Sequence, residues 1–165
     1  MKSSSFHLSF TSLAFLLAVV YSTADWPQFR GPDGQGHSDQ KGIPIHWEEG
    51  KNITWKTEVP GQGWSSPVIA GKQVWMTSAD AEGRSLHAVC IDKTGGKLLH
   101  NVEVLTPGDA GPRHRLNGYA SPTPVLDGER VYVHFGPRGT VCLDTAGRIL
   151  WKNTEFDYNV IQGGA

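Results

Sequence analysis

The chain has 165 residues, with 15 Lys and Arg against 16 Asp and Glu, which gives a net charge of −1. This balance supplies no broad basic surface and argues against nucleic acid as a partner. The 20 Gly and 10 Pro are too many for a helical bundle, while the 6 Trp, 6 Phe and 4 Tyr argue against disorder. The composition therefore predicts a turn-rich, all-β protein.

The first 24 residues have the layout of a secretory signal peptide. A positively charged start precedes an apolar stretch that is densest at 13–20, and Ser22 and Ala24 are small residues at the −3 and −1 positions of a cleavage site. The apolar stretch is short for a membrane span, which makes an uncleaved anchor the lesser alternative. We expect cleavage after Ala24, a periplasmic or secreted protein, and no membrane span in the mature chain.

Two units of the remaining sequence are repeats of each other. Gly-Trp-Ser-Ser-Pro at 63–67 corresponds to Gly-Tyr-Ala-Ser-Pro at 118–122. Cys-Ile-Asp-Lys-Thr-Gly-Gly at 90–96 corresponds to Cys-Leu-Asp-Thr-Ala-Gly at 142–147, which is one residue shorter. Internal repeats of this length are typical of arrays built from one small structural unit. We expect an extended N-terminal segment at 25–52, followed by the repeat region at 53–165.

Each unit predicts four short antiparallel strands, because apolar and polar residues alternate between Gly-containing turns. A four-stranded unit that repeats about every 45–55 residues is typical of a β-propeller blade. We place the blades at about 63–104 and 118–156, preceded by a leading strand at 53–58. The predicted strands are 66–70, 73–78, 86–92 and 97–103 in the first blade, and 123–126, 130–135, 140–144 and 148–154 in the second.

The run at 142–151 resembles the repeat of the PQQ-like (pyrroloquinoline-quinone-like) β-propellers, Ala/Cys-x-Asp-x-Thr-Gly-x-x-x-Trp, although Ala146 alters the Thr-Gly order. In this family the aromatic residue that closes a blade packs between neighbouring blades. The resemblance therefore implies a structural, blade-packing role for Trp55 and Trp151. His100 stands where the family usually has Trp, and we expect it to form a weaker wedge.

A propeller closes with about four to eight blades, whereas two blades and a leading strand are visible here. The last residues, Gly-Gly-Ala at 163–165, align with Gly-Tyr-Ala at 118–120, where the second unit begins. We therefore expect the sequence to be the incomplete, N-terminal part of a propeller of about six to eight blades.

Cys90 and Cys142 are the two cysteines, and they occupy the same position of the repeat. Export would allow a disulfide. Equivalent positions of neighbouring units, however, usually lie farther apart than the ~7 Å between Cα atoms that a disulfide tolerates. We expect two small, buried thiols and keep a disulfide as the alternative.

Common catalytic motifs are absent from the sequence, including a Gly-x-Ser-x-Gly elbow, a phosphate-binding loop and His-Glu-x-x-His. The sequence leaves open whether the protein is an enzyme, and no cofactor is evident. The resemblance also implies an alternative: the N-terminal fragment of a quinoprotein dehydrogenase that oxidises alcohols or sugars with PQQ and Ca²⁺. Such enzymes often carry a disulfide between adjacent cysteines, which this sequence lacks, and none of its carboxylates can be matched to their metal ligand or base.

The segment at 105–119, which joins the two blades, is the candidate ligand or partner loop. It contains Arg113, His114, Arg115 and Asn117 among Gly and Pro residues. The arginines suit an anionic group and His114 can titrate near neutral pH, while the alternative is a solvated, variable loop.

Clear blades without a catalytic constellation favour an exported, non-catalytic binding or assembly scaffold. This resembles the propeller of outer-membrane protein assembly factors, although those are commonly lipoproteins and no lipidation Cys is present. The scaffold would take a protein partner or a small ligand on the propeller face. A third interpretation is a sensor or sugar-binding module of a larger protein.

Overall fold

The structure is a computed structural model, and it describes residues 25–155. The predicted signal peptide, its cleavage after Ala24 and the alignment at 163–165 lie outside these residues.

Eight strands form two four-stranded antiparallel sheets, with strand orders β1-β2-β3-β4 and β5-β6-β7-β8. We call the two sheets blade 1 and blade 2. The all-β prediction is confirmed, and each sheet is a simple up-and-down meander. The strands of blade 1 are β1 Val68–Ala70, β2 Gln73–Ala79, β3 Leu86–Asp92 and β4 Leu98–Leu105, and those of blade 2 are β5 Val125–Asp127, β6 Arg130–His134, β7 Thr140–Asp144 and β8 Ile149–Asn153.

The predicted strands coincide with the observed ones except near their ends. β1 and β5 both begin two residues later than predicted, directly after Pro67 and Pro124. Proline lacks the N–H that a ladder needs, so each ladder begins beyond it. A short 3₁₀ helix, Gly136–Arg138, lies between β6 and β7 and was not expected from the sequence.

The prediction of a leading strand at 53–58 is wrong, because these residues do not form a strand in the structure. Exposure still alternates along this segment, with Trp55, Thr57 and Val59 half-buried and the residues between them exposed. The segment thus has the side-chain pattern of a strand without a backbone ladder to a neighbour among the described residues. The sequence contains the alternation of side chains, which is local. It does not show whether a partner strand lies beside the segment, and a backbone ladder needs one.

The strand registers confirm the alignment of the two repeats. Trp75, Cys90 and His100 lie opposite one another on β2, β3 and β4. In blade 2 the same positions hold Tyr132, Cys142 and Trp151. We call each set of three the aromatic row of its blade.

A small residue in the middle of the aromatic row lets the flanking rings meet. Strands two apart in a sheet are separated by about 9–10 Å, yet the Trp75 and His100 ring centroids are 5.7 Å apart. In blade 2 the Tyr132 and Trp151 centroids are 6.1 Å apart. The rings of each pair therefore lean towards one another across the strand that carries the cysteine.

We call the sheet face that carries the aromatic row the forward face, and the opposite one the rear face. The forward face of blade 1 packs against the rear face of blade 2, and their side chains form one buried cluster. Burial of such apolar surface is the main favourable term in folding. The cluster includes Trp75, Ala88 and Val104 from blade 1 and Val131, Phe135 and Val141 from blade 2.

The first described residues connect the two blades at their inner strands. Trp26 exchanges two backbone hydrogen bonds with Ile69 of β1, both of 2.8 Å, and the carbonyl of Pro27 accepts the Leu126 amide of β5 at 2.8 Å. Within residues 25–155 no helix is long and apolar enough to cross a membrane.

Candidate functional site

Three connections lie at the same end of the two sheets, because successive turns of an antiparallel meander alternate between its ends. They are the β2–β3 loop, the β6–β7 loop and the segment at 106–124 that links β4 to β5, which we call the linker. The linker is the longest connection between consecutive strands, and loops held by a rigid scaffold are common sites of binding. The predicted ligand residues are on it.

Tyr119 and Arg138 anchor the linker to both blades. The ring of Tyr119 lies on Gly83 of the β2–β3 loop, where a Cβ atom would come within 2.5 Å of it. From the β6–β7 loop, Arg138 donates a 2.6 Å hydrogen bond from Nε to the carbonyl of Ala110 and a second bond to the same oxygen from Nη2. One side chain therefore joins the linker to blade 1 and another joins it to blade 2.

Two arginines share the Tyr119 ring. The guanidinium carbon of Arg113 is 5.2 Å from the ring centroid and that of Arg138 is 4.9 Å from it. Both lie within the distance at which a cation is attracted to an aromatic ring. Arg138 is buried, and desolvation lowers the pKa of its guanidinium from the ordinary value, while Tyr119 and Asp109 oppose that effect. Even so, an arginine side chain remains charged at neutral pH.

The tip of the linker is a turn at 114–117. The amide of Asn117 donates to the carbonyl of His114 at 2.9 Å, and the amide of Leu116 donates to His114 Nδ1 at 3.3 Å. Arg113 closes the base of the turn with a 2.7 Å bond from Nη1 to the carbonyl of Asn117. The two central residues, Arg115 and Leu116, are exposed, and Leu116 has 66% of its surface accessible.

The four predicted ligand residues thus lie together, but they do different things. Arg113, His114 and Asn117 use polar groups to hold the turn, whereas Arg115 extends from its exposed centre. That the loop binds a ligand or a partner stays a prediction.

Sequence reasoning missed Arg138, the anchoring role of Tyr119, and the exposed Leu116. Arg138 stands in Gly-Pro-Arg-Gly at 136–139, a motif that indicates only a turn. Its acceptor, Ala110, is 28 residues away in the sequence, and no local pattern connects them. Tyr119 was visible as the counterpart of Trp64 in the repeat, which was the one available signal.

The blade-closing aromatic residues lie against glycine turns of the next blade. Trp55 covers Gly96 in the β3–β4 turn, where a Cβ atom would come within 2.7 Å of the indole, and its Nε1 donates to the carbonyl of Lys93 at 2.8 Å. In the same way His100 of blade 1 lies 3.1 Å from the Cβ position of Gly147, in the β7–β8 turn of blade 2. Trp151 occupies the third such position and is 45% exposed.

Both cysteines are free and buried, as the sequence predicted. Desolvation raises the pKa of the Cys90 thiol to about 12 and also raises that of Cys142. Among residues 25–155 no group of three or more His, Cys, Asp and Glu side chains has a geometry that could hold a metal ion.

The sequence matches the model of a known protein family. The family model described as outer membrane protein assembly factor BamB, a PQQ-like repeat model, matches residues 39–157, which is more than half of the chain. No curated protein matches the sequence. The match spans all eight strands and the linker.

Proposed function

Because the chain belongs to the BamB family of PQQ-like repeat β-propellers, we propose that it is an exported, non-catalytic scaffold that binds a protein partner through the tip of the linker. The supporting observation is the turn at 114–117, which is held by its own hydrogen bonds and carries an arginine and a leucine at its exposed centre. A turn held in this way has little conformational entropy left to lose on binding.

The chemistry of the tip indicates the kind of surface it fits. Leu116 offers apolar area, and Arg115 offers a charged fork beside it. An arginine next to an apolar contact is a common centre of protein interfaces, where the guanidinium pairs with a carboxylate in a bidentate way. We therefore propose a partner with an apolar pocket next to acidic side chains.

Anchoring of the linker supports this role. Tyr119 and Arg138 attach the linker to both blades, so the tip keeps its position relative to the sheets. A partner that binds the tip would meet a rigid surface rather than a loose loop. Such positioning by a scaffold is what separates a binding loop from a merely solvated one.

Site-specific photocrosslinking tests the proposal in cells that produce the full-length protein. A benzoylphenylalanine replaces Leu116, and the matched control carries it at Glu129, an exposed turn residue at the opposite end of blade 2. We expect one defined protein crosslinked from position 116 and absent from position 129, and Arg115→Glu should reduce the yield. Equal crosslinking from both positions, or none from 116, would overturn the proposal.

Export and the non-catalytic assignment have tests of their own. N-terminal sequencing of the protein recovered from the envelope or medium of its native source should begin at Asp25. An intact Met1 in the envelope would mean an uncleaved anchor, and recovery of an intact Met1 from the cytoplasm alone would contradict export. Reconstitution of the full protein with PQQ and Ca²⁺ should give no dye-linked oxidation of alcohols or sugars. Turnover that depends on both additions would replace the scaffold with the dehydrogenase alternative.

A further inference from the structure

Trp64, in the segment that leads into β1, lies open to solvent beside a cavity. It is 68% exposed, and the cavity that it lines has a volume of about 440 Å³. Pockets for small molecules begin at about 300 Å³, so this one has room for a ring-shaped ligand. An exposed indole offers such a ligand a large apolar surface with a polar N–H at its edge.

The position of Trp64 is fixed by contacts within the protein. Its amide donates to the carbonyl of Ala120 at 2.9 Å, and its ring lies on Gly118, where a Cβ atom would come within 2.6 Å of the indole. Two residues earlier, Gln62 exchanges two backbone hydrogen bonds of 2.8 Å with Ala79 at the end of β2. Because these contacts exist before any ligand arrives, less conformational entropy is lost when one binds.

The equivalent residue of the second repeat, Tyr119, is used differently. Its ring also lies on a glycine, Gly83, but it is half-buried and contacts the guanidinium groups of Arg113 and Arg138. The protein itself therefore uses the ring of Tyr119, whereas most of Trp64 faces solvent. Anchoring of the linker explains the first aromatic residue and leaves the exposure of the second unexplained.

Polar groups without protein partners accompany the indole at the cavity. The side-chain amide of Gln62 is exposed and makes no hydrogen bond within the described residues, and the same is true of Trp64 Nε1. Ser65 Oγ accepts the amide of Thr77 at 3.0 Å, while its own hydrogen has no acceptor in the described part of the chain. Gln62 can both donate and accept, and Ser65 and Trp64 can donate.

The character of these groups selects the class of ligand. None of the described residues that line the cavity has a charged side chain, so a phosphate or carboxylate would find no cation there. A purely apolar ligand would bury the amide of Gln62 and the hydroxyl of Ser65 without partners, which is costly. A neutral sugar fits both properties. Its hydroxyl groups donate and accept, and the C–H groups on the face of its ring pack on an aromatic side chain.

We propose that the cavity beside Trp64 is a binding site for a neutral sugar, which stacks on the indole and forms hydrogen bonds with Gln62 and Ser65. The sugar is either a unit of a glycan chain or a free monosaccharide. The proposal does not depend on the function proposed for the linker tip, because it rests on none of the exposed residues of that turn.

Titration of the full-length protein, labelled with ¹⁵N in tryptophan, tests the site. The probes are three neutral hexasaccharides, namely maltohexaose, cellohexaose and N-acetylchitohexaose. The control is hexaproline, which can stack on an aromatic ring but has no hydroxyl groups. We expect at least one saccharide to shift the indole Nε1 resonance of Trp64, which is identified by its loss in Trp64→Phe, and hexaproline to leave it unchanged. No shift with any of the three saccharides, or an equal shift with hexaproline, would overturn the proposal.

Variants separate binding from folding. Trp64→Ala should weaken saccharide binding at least about tenfold, as truncation of a central tryptophan does at other binding surfaces. The matched control is Trp47→Ala, since Trp47 is 67% exposed and lies outside this cavity. It should leave the affinity unchanged. A natively folded Trp64→Ala that binds as well as the wild type would contradict the assignment.

Two further variants test the hydrogen bonds and the independence of the site. Gln62→Ala keeps both backbone bonds to Ala79 and should weaken binding about fivefold, since one or two hydrogen bonds to the sugar are lost. Unchanged affinity would contradict the role of Gln62. Arg115→Glu should reduce crosslinking at the linker tip and leave saccharide binding unchanged, so that the two proposals can fail separately.

The two sources of the sugar are distinguished by comparing the hexasaccharide that binds with its own monosaccharide. Tighter binding of the hexasaccharide indicates a unit of a glycan chain, because neighbouring units add contacts. Equal affinity indicates a free sugar.

Discussion

Blade 1 and blade 2 have the same strand order and the same aromatic row, yet the rows differ in burial. Trp75 and Cys90 are fully buried, and so is Val68, which pairs with Trp75 from β1. In blade 2 the cysteine is buried as well, but Val125 is 42% exposed and Trp151 is 45% exposed. The rear face of blade 2 covers the row of blade 1, and no described segment covers the row of blade 2.

The difference shows that a blade forms its own ladder but not its own core. Register and turn chemistry are local, and they are the same in both sheets. Burial of the forward face is supplied by the neighbour, as in repeat proteins whose stability is a sum of unit and interface contributions.

The largest expected difference is between Trp75→Ala and Tyr132→Ala, at equivalent positions of the two rows. Trp75→Ala should lower the free energy of unfolding of this chain by about 3–5 kcal/mol, since it leaves a cavity between the blades. Tyr132→Ala should cost about 1 kcal/mol, because its ring is only half-buried. Denaturant unfolding followed by circular dichroism measures both, with Trp75→Phe and Tyr132→Phe as controls. Equal losses would mean that the row of blade 2 is covered as well.

Alanine substitutions in the glycine turns test the contacts that the blade-closing residues make with the next blade. Gly96, Gly147 and Gly128 all have positive φ, of 71°, 80° and 56°, so alanine at any of them costs about 1–2 kcal/mol of backbone strain. A Cβ at Gly96 also meets the Trp55 indole at 2.7 Å, one at Gly147 meets His100 at 3.1 Å, and one at Gly128 meets nothing within 4 Å.

The expected order of destabilisation is therefore Gly96→Ala, then Gly147→Ala, then Gly128→Ala, measured as free energies of unfolding. Gly128→Ala is the matched control, since it reports the backbone strain alone. If all three cost the same, the aromatic residues contribute nothing through these turns.

The loops at the linker end of the blades are held differently. In the β2–β3 loop of blade 1, Asp80 accepts the amides of Arg84 and Ser85, which are its near neighbours. In blade 2, Arg138 bonds instead to Ala110 of the linker. Arg138→Met should cost about 2–3 kcal/mol, because it removes charge-assisted hydrogen bonds, and should speed amide exchange at Leu116.

The matched control for this loop is Arg115→Met at the exposed tip, which should change stability by less than about 0.5 kcal/mol. If amide exchange at Leu116 is as slow in Arg138→Met as in the wild type, the tip of the linker keeps its conformation without the bond to blade 2.

The features of the fold that could be predicted from the sequence are those determined by residues close together in the chain. Strand positions followed from alternation and turns, and the shared position of Cys90 and Cys142 correctly indicated two free thiols. The missing ladder at 53–58 and the bond from Arg138 depend on residues distant in the sequence.

The cysteines give the last comparison, in which the effect is on rate rather than on stability. Both thiols are buried and uncharged at neutral pH, because burial raises their pKa, to about 12 for Cys90. The stability that the protonated Cys90 contributes is complete below the ordinary thiol pKa of about 8.5 and declines as the pH rises from there towards 12. Cys142 belongs to the aromatic row of blade 2, which no described segment covers, so a small local opening exposes its thiol. Exposure of the Cys90 thiol requires the two blades to separate.

We therefore expect iodoacetamide at pH 8 to modify Cys142 before Cys90 in the native chain, and both at equal rates in denaturant, as measured by mass spectrometry of the peptides. Trp75→Ala should accelerate Cys90 selectively, since it loosens the contact that covers it. Modification of Cys90 first would mean that the blades separate more readily than the open row of blade 2 fluctuates. The interface between the blades would then be the least stable part of the molecule, contrary to the burial of its side chains.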